Sequence, residues 1–146
     1  MIEKVTLQNF DKVLPLIKAY QEFYGVKDID EEKNTRHFSQ FIEDHTRGML
    51  FVTEIEQQAI GFATIYFGFS STLAEEVAIL NDLYVLPEFR GKGHGKALIN
   101  HAMKAVKERG INRIQWLTAK NNITAQKLYD SLEVNKSEWY FFAKEI

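Results

Sequence analysis

Three glycines at alternate positions, Gly91, Gly93 and Gly95, are interleaved with Lys92 and His94 and flanked by Arg90 and Lys96. Glycine allows left-handed backbone dihedrals and lets a ligand approach the main chain closely. The run follows the apolar stretch Leu83-Tyr84-Val85-Leu86, stopped by Pro87, and leads into a segment of helical periodicity. A strand, a tight loop and a helix in that order leave unpaired N–H groups at the helix start, where the helix dipole also favours negative charge. The chemistry this predicts is the holding of a phosphate-bearing ligand. Two nucleotide motifs fail on spacing. A phosphate-binding P-loop needs four residues between its first glycine and a Gly-Lys-Ser/Thr. Here three residues separate Gly91 from Gly95, and Ala97 follows Lys96, so no hydroxyl is offered to magnesium. A dinucleotide fingerprint needs G-x-G-x-x-G within a βαβ unit, whereas this loop is G-x-G-x-G after a long N-terminal region.

Other reactive groups narrow the chemistry further. The chain has no cysteine, which excludes disulfides and any thiolate or thioester intermediate on the protein. No Gly-x-Ser-x-Gly elbow presents a serine nucleophile. His37, His45, His94 and His101 show no metal-ligand spacing, so no metal site is expected. One carboxylate stands out: Asp82, directly ahead of Leu83-Tyr84-Val85 and at the edge of the expected ligand cleft. It is a candidate proton acceptor or amine ligand; a capping or ion-pairing role is the alternative. Glu75 and Glu76 read as a solvated loop.

These groups need a scaffold, and the periodicities supply one. Residues 2–7 read as a first strand. Val13, Leu14, Ile17, Tyr20 and Tyr24 follow helical spacing over about 11–24. Pro15 belongs at that helix's start, and Gly25 at its end. A second helix is predicted at about 30–44 behind the acidic Asp30-Glu31-Glu32, suited to a helix N-terminus. Residues 49–56 and 58–69 then read as two strands around a polar turn, and 77–85 as a third, apolar enough to be central. An amphipathic helix over about 93–109, capped by Gly110, precedes a strand at 113–118, a helix at 122–132 and an aromatic strand at 137–144. No repeat or linker divides the chain, so residues 1–146 read as one domain. The order β-α-α-β-β-β-α-β-α-β predicts an α/β (α+β) architecture: a mixed, mostly antiparallel sheet of about six to seven strands flanked by four helices.

Arg90-x-x-Gly93-x-Gly95 after Leu83-Tyr84-Val85-x-Pro87 resembles the pyrophosphate-binding motif of the GNAT superfamily of N-acetyltransferases. Asn122-x-x-Ala125-x-x-Leu128-Tyr129 resembles a second motif of the same family, and the element order matches over essentially the whole chain. The resemblance implies acetyl-CoA as cofactor. Its pyrophosphate would lie on the amides of the loop Arg90, Gly91, Lys92, Gly93, His94, Gly95 and Lys96. Leu83, Tyr84 and Val85 would pair with the pantetheine arm through their main chain, Asn122 would contact that arm, and Tyr129 would face the thioester sulfur. A tyrosine with a pKa near ~10 stays protonated at neutral pH and can protonate a leaving thiolate. An N–H at or beside Val85 would stabilise the oxyanion. Without a protein nucleophile, direct attack by an amine in a ternary complex remains.

The acceptor is read as a primary amine of a small molecule. Leu14 to Lys18 with Phe23-Tyr24 look like the first helix of diamine and polyamine acetyltransferases, and Ile79 to Val85 resembles the strand of those enzymes and of GNATs acting on amino acids or histone tails. Where those enzymes carry a Glu-Asp pair this chain has Asn81-Asp82, one carboxylate too few for a dication. Phe23, Tyr24, Asn81, Asp82 and Trp116 are the candidate acceptor-binding residues. Tyr24, Tyr66, Phe67, Phe69 and Trp116 could hold an ammonium by cation–π contact, with one or two of them expected at the site. A protein or peptide acceptor, or a silent acetyl-CoA-binding regulatory module, are the other readings. Glu133 follows the Tyr129 helix where the family usually has glycine; a left-handed glutamate there costs roughly 1 kcal/mol.

The composition fits a globular protein, with 45% apolar and 26% charged residues. A net charge of -2 gives no electrostatic footing to a nucleic-acid partner. No apolar run approaches the ~20 residues of a membrane span, and the polar first thirty residues show no signal peptide. A cytoplasmic location is therefore expected. The aromatic run Trp139-Tyr140-Phe141-Phe142, in a family whose members often dimerise through C-terminal strands, is compatible with a homodimer.

Overall fold

A computed structural model describes residues 1–146. Five strands, β1 (Ile2–Lys4), β2 (Gly48–Ile55), β3 (Gln58–Ser70), β4 (Glu75–Val85) and β5 (Ile114–Gln115), lie side by side in sequence order. β1 to β4 pair antiparallel, and β5 joins β4 in parallel. The helices are α1 (Leu14–Phe23), α2 (Glu31–Glu43), α3 (His94–Glu108) and α4 (Ile123–Asp130). No helix is long and apolar enough to cross a membrane.

The helix ends follow local chemistry. Pro15 sits in the first turn of α1, where its missing N–H costs nothing. Asp30 caps α2 by accepting from the Lys33 N–H at 2.9 Å, a contact worth about 1 kcal/mol. Gly25 and Gly110 take the left-handed conformation just past α1 and α3.

Alternation along the strands builds two cores. Leu50, Val52, Phe62 and Tyr84 face α1 and α2, packed with Ile17, Phe38, Phe41 and Ile42. Met49, Phe51, Ala63, Ile65, Ala78 and Leu80 face α3, packed with Leu98, Ile99, Ala102 and Val106. Each large side chain fully buried here contributes about 1.5–3 kcal/mol. The sheet is thus a middle layer with a helical pair on one face and α3 on the other.

Two irregularities in β4 prepare the site. Its register against β3 pairs Thr64 with Asp82 but Ile65 with Leu80, so Asn81 is an extra, bulged residue. A bulge reverses the alternation of the residues beyond it. Ala78 and Leu80 therefore face α3, yet Asp82 turns to the α1–α2 side. The second irregularity is a splay: β4 pairs with β5 only at Ala78 and Ile79, so its edge from Leu80 to Val85 has no neighbouring strand on that side.

The sheet has five strands rather than six or seven. The strand expected at 113–118 is two residues long because β5 diverges from β4. The aromatic strand expected at 137–144 does not form. Every residue from Glu133 onward is exposed, with Tyr140 and Phe142 at 89%. Aromatics favour a strand only where another strand accepts the main-chain hydrogen bonds, and no strand of this chain lies alongside the segment.

Candidate active site

The glycine loop links the end of β4 to α3. Gly91 and Gly93 have φ of 73° and 85°, a region costly for any residue with a Cβ. Left-handed backbone at these two points turns successive N–H groups outward. None of the backbone N–H groups from Gly91 to Lys96 donates to a carbonyl, and no side chain caps α3. These exposed donors, backed by the dipole of a 15-residue helix, form an anion cradle. The unpaired β4 edge from Leu83 to Val85 runs directly into it. An extended ligand with a diphosphate at one end and a chain able to pair along a strand fits both features. The Gly95 position would bring a Cβ to 3.4 Å from Leu128 on α4, an ordinary contact.

The cations are placed differently from one another. Arg90 turns away from the cradle: its Nε donates to the Val85 carbonyl at 2.8 Å. Its guanidinium lies 5.1 Å from the Phe23 ring centre and 5.4 Å from that of Tyr84. Lys92 Nζ donates to the Glu88 carbonyl at 3.1 Å, and Lys96 Nζ to the Ser131 carbonyl at 3.5 Å. His94 is the first residue of α3 and is half-buried.

Asn122 is the N-cap of α4, its Oδ1 accepting from the Ala125 N–H at 3.1 Å. About two turns later Tyr129 is half-buried and packs edge-on against Trp116 at 5.2 Å. Burial, then the neighbouring phenol of Tyr24, push the Tyr129 pKa up. The hydroxyl is thus held protonated.

On the other face, α1, α2, β3 and β4 line a half-open cavity of about 290 Å³, formed by Ile17, Tyr20, Gln21, Lys33, Asn34, His37, Phe38, Tyr66, Asn81 and Asp82. Asp82 is its buried carboxylate, 5% exposed. Oδ1 accepts from Asn81 Nδ2 at 3.1 Å, while Oδ2 is buried with no partner in bonding geometry, as is Oγ1 of the cross-strand Thr64. A buried, half-satisfied carboxylate is costly, and the cavity gives it somewhere to find a partner. Burial and the negative charge of Asp82 raise the pKa of both Tyr20 and Tyr66, and the approach of the Tyr20 hydroxyl to the Asp82 carboxylate raises that of Tyr20 further, so both phenols stay neutral beside it. Tyr20 stacks edge-on with Tyr24 at 4.9 Å, and Tyr24 in turn is the phenol felt by Tyr129. This aromatic series links the cavity to the helix carrying Tyr129.

Of the acceptor-binding candidates, Asn81 and Asp82 line the cavity, and Phe23 and Tyr24 stand exposed at the end of α1. Trp116 is elsewhere, against Tyr129 in the α3-side core. Of the aromatics weighed for cation–π contact, Tyr66 reaches the cavity, Phe67 holds Arg109 at 4.1 Å, and Phe69 is 85% exposed. Tyr20, Gln21, Lys33, Asn34 and His37 were not identified as site residues. Periodicity marks the inner face of each helix but not which residues of two helices meet across a gap.

The sequence profile described as the acetyltransferase (GNAT) family matches residues 13–133. A D-amino-acid N-acetyltransferase of Saccharomyces cerevisiae is 34% identical over 77% of this chain and 72% of its own length. A [ribosomal protein bS18]-alanine N-acetyltransferase of Haemophilus ducreyi is 35% identical over 49% of each chain. The crystal structure of a "probable acetyltransferase" superposes with a TM-score of 0.87 at 27% identity, covering 100% of this chain and 97% of the other. The chain belongs to the GNAT family of N-acetyltransferases.

Proposed function

We propose that this enzyme transfers the acetyl group of acetyl-CoA to a primary amine of a small molecule, by direct attack of the amine with both substrates bound. The carrying observation is the half-satisfied carboxylate of Asp82 in a cavity of only about 290 Å³. That volume sits at the small end of ligand sites. It suits a small amine better than a folded protein surface.

Acetyl-CoA is the family's cosubstrate, and it supplies an activated acyl group on a thiol leaving group. The amides from Gly91 to Lys96 would hold its diphosphate and the free β4 edge at Leu83, Tyr84 and Val85 its arm. Asn122 fixes the start of α4 and so the position of Tyr129. Asp82 would bind the incoming ammonium and take up its proton, since an ammonium has no lone pair. Tyr129, kept protonated by burial, would hand a proton to the departing thiolate. A measurement of thiol release with a panel of small primary amines tests the proposal. Turnover is expected with at least one small amine; tight acetyl-CoA binding without turnover on any amine would favour a silent regulatory module instead.

A protein acceptor is a second reading, favoured by the Haemophilus ducreyi relative, which is named for acting on a ribosomal protein. Turnover of peptides but not of free amines would select it. The uncovered run Trp139 to Phe142 supports a homodimer in which a second copy covers these aromatics. Gel filtration is expected to exceed the 17.0 kDa of one chain; elution as a monomer would overturn this.

A further inference from the structure

We infer that the acceptor carries a carboxylate as well as its amine, and that the enzyme acts on a small amino acid rather than on a diamine or a plain alkylamine. The inference rests on the cavity being the acceptor site, and it comes from the opposite polarity of the cavity's two walls.

The β-side wall is the negative one. Asp82 is the only carboxylate lining the cavity, and its neighbours Tyr20 and Tyr66 are neutral. The helical wall is built from donors. Lys33 projects from the first turn of α2, where the nearby acids are already engaged: Glu31 pairs with Lys18 at 3.5 Å and Glu32 with Arg36 at 2.7 Å. The Lys33 ammonium itself has no carboxylate within 4.0 Å. Between Lys33 and the sheet, Gln21 and Asn34 bridge α1 and α2 through two reciprocal bonds. Gln21 Nε2 donates to Asn34 Oδ1 at 2.9 Å, and Asn34 Nδ2 donates to Gln21 Oε1 at 2.7 Å. Each amide spends one of its two N–H groups in that exchange and keeps the other. Asn34 is 7% exposed, so its remaining N–H must find its partner in the cavity or go without. His37 is turned toward Tyr66, 3.4 Å from its hydroxyl.

An ammonium at Asp82 leaves this donor wall facing the far end of the acceptor. A second ammonium there would meet the like charge of Lys33, with Asp82 the only carboxylate of the lining and already taken by the first. A methyl group would leave the donors unfilled. A carboxylate would complement Lys33 and both amide donors, as charge-assisted hydrogen bonds do. The same polarity accounts for Asn81 standing beside Asp82: a second carboxylate there would suit a dication, and the chain has an amide.

Three acceptors of equal length separate the cases: an ω-amino acid, the corresponding alkylamine and the corresponding diamine. The amino acid is expected to have a kcat/KM roughly tenfold above the alkylamine, with the diamine lowest. Lys33→Glu should reverse the order of amino acid and diamine, and Lys33→Arg should keep it; Lys33 is exposed, so neither change threatens the core. Calorimetric titration of the same three compounds into CoA-saturated protein should give the same ranking without turnover. Amines acetylated without regard to the carboxylate, or a ranking unmoved by Lys33→Glu, would overturn the inference while leaving the proposed function intact. Absence of turnover on every amine would instead overturn both.

Discussion

The two halves of this site are made of different materials. On the proposed function, the acetyl-CoA side would be backbone: amides from Gly91 to Lys96 and the free edge of β4, close in sequence and shaped by two left-handed glycines. The acceptor side would be side chains, brought from α1, α2, β3 and β4 into one cavity. Backbone donors at a helix start bind an anion whatever the neighbouring side chains are. Side-chain walls select by charge and shape, and single substitutions can change them. A family can therefore keep its donor while its members diverge in acceptor, and damage to the two halves should differ in kind.

The sharpest way to break that contrast is Asp82→Asn. On the proposed role of Asp82 in binding the amine and taking its proton, the change should lower kcat/KM for the amine by about 100-fold or more, with acetyl-CoA affinity unchanged by calorimetry. Equal losses on both sides would mean that the halves are not separable.

Tyr129→Phe comes next, with kcat expected to fall roughly 10- to 100-fold and acetyl-CoA affinity little altered. Its pH dependence has a definite sign. Burial raises the Tyr129 pKa, so the acid form persists to higher pH than an ordinary tyrosine near ~10. The kcat profile should show no loss from this group below about pH 10. An alkaline fall centred below pH 9 that disappears in Tyr129→Phe would contradict the assignment.

A smaller effect tests the backbone half. Gly93→Ala adds a methyl that meets nothing within 4 Å, so its only cost is the φ of 85°. That strain, about 1–2 kcal/mol, relaxes in the free loop and must be restored on binding. Acetyl-CoA affinity should drop about tenfold with acceptor KM unchanged, and Gly95→Ala should do less.

The same division explains what could be read from the sequence. The loop, the Asn122 and Tyr129 spacing and the helix limits at Pro15, Asp30, Gly25 and Gly110 depend on residues close together in the chain, and the structure keeps them at those places. Asp82 could be singled out from its position before Leu83, but not its orientation, because the bulge at Asn81 that turns it is a relation between two strands. Gln21 and Asn34, thirteen residues apart, meet only once α1 and α2 pack. Arg90 was read by its charge as one of the loop's cations; its aromatic neighbours, Phe23 and Tyr84, come from α1 and β4 and hold it against them. The aromatic stretch at 137–144 has a strand's composition and no neighbouring strand to pair with.

Glu133 gives the smallest expected effect and the cleanest, because it touches neither half. It follows α4 with φ of 56°, the left-handed turn where the sequence comparison with the family led one to look for glycine. The residue is exposed, so replacing it removes little packing. Glu133→Gly releases about 1–2 kcal/mol of left-handed strain and gives back roughly 0.5–1 kcal/mol through the greater freedom of glycine in the unfolded chain. A net gain of about 0.5–1 kcal/mol should raise Tm by about 2–4 °C, read by thermal unfolding. Acetyl-CoA affinity and acceptor kcat/KM should both stay put, since α4 is fixed at its other end by the Asn122 cap. A loss of stability would show that Glu133 makes a favourable contact; a change in kcat would show that the end of α4, and not the cap alone, sets the position of Tyr129.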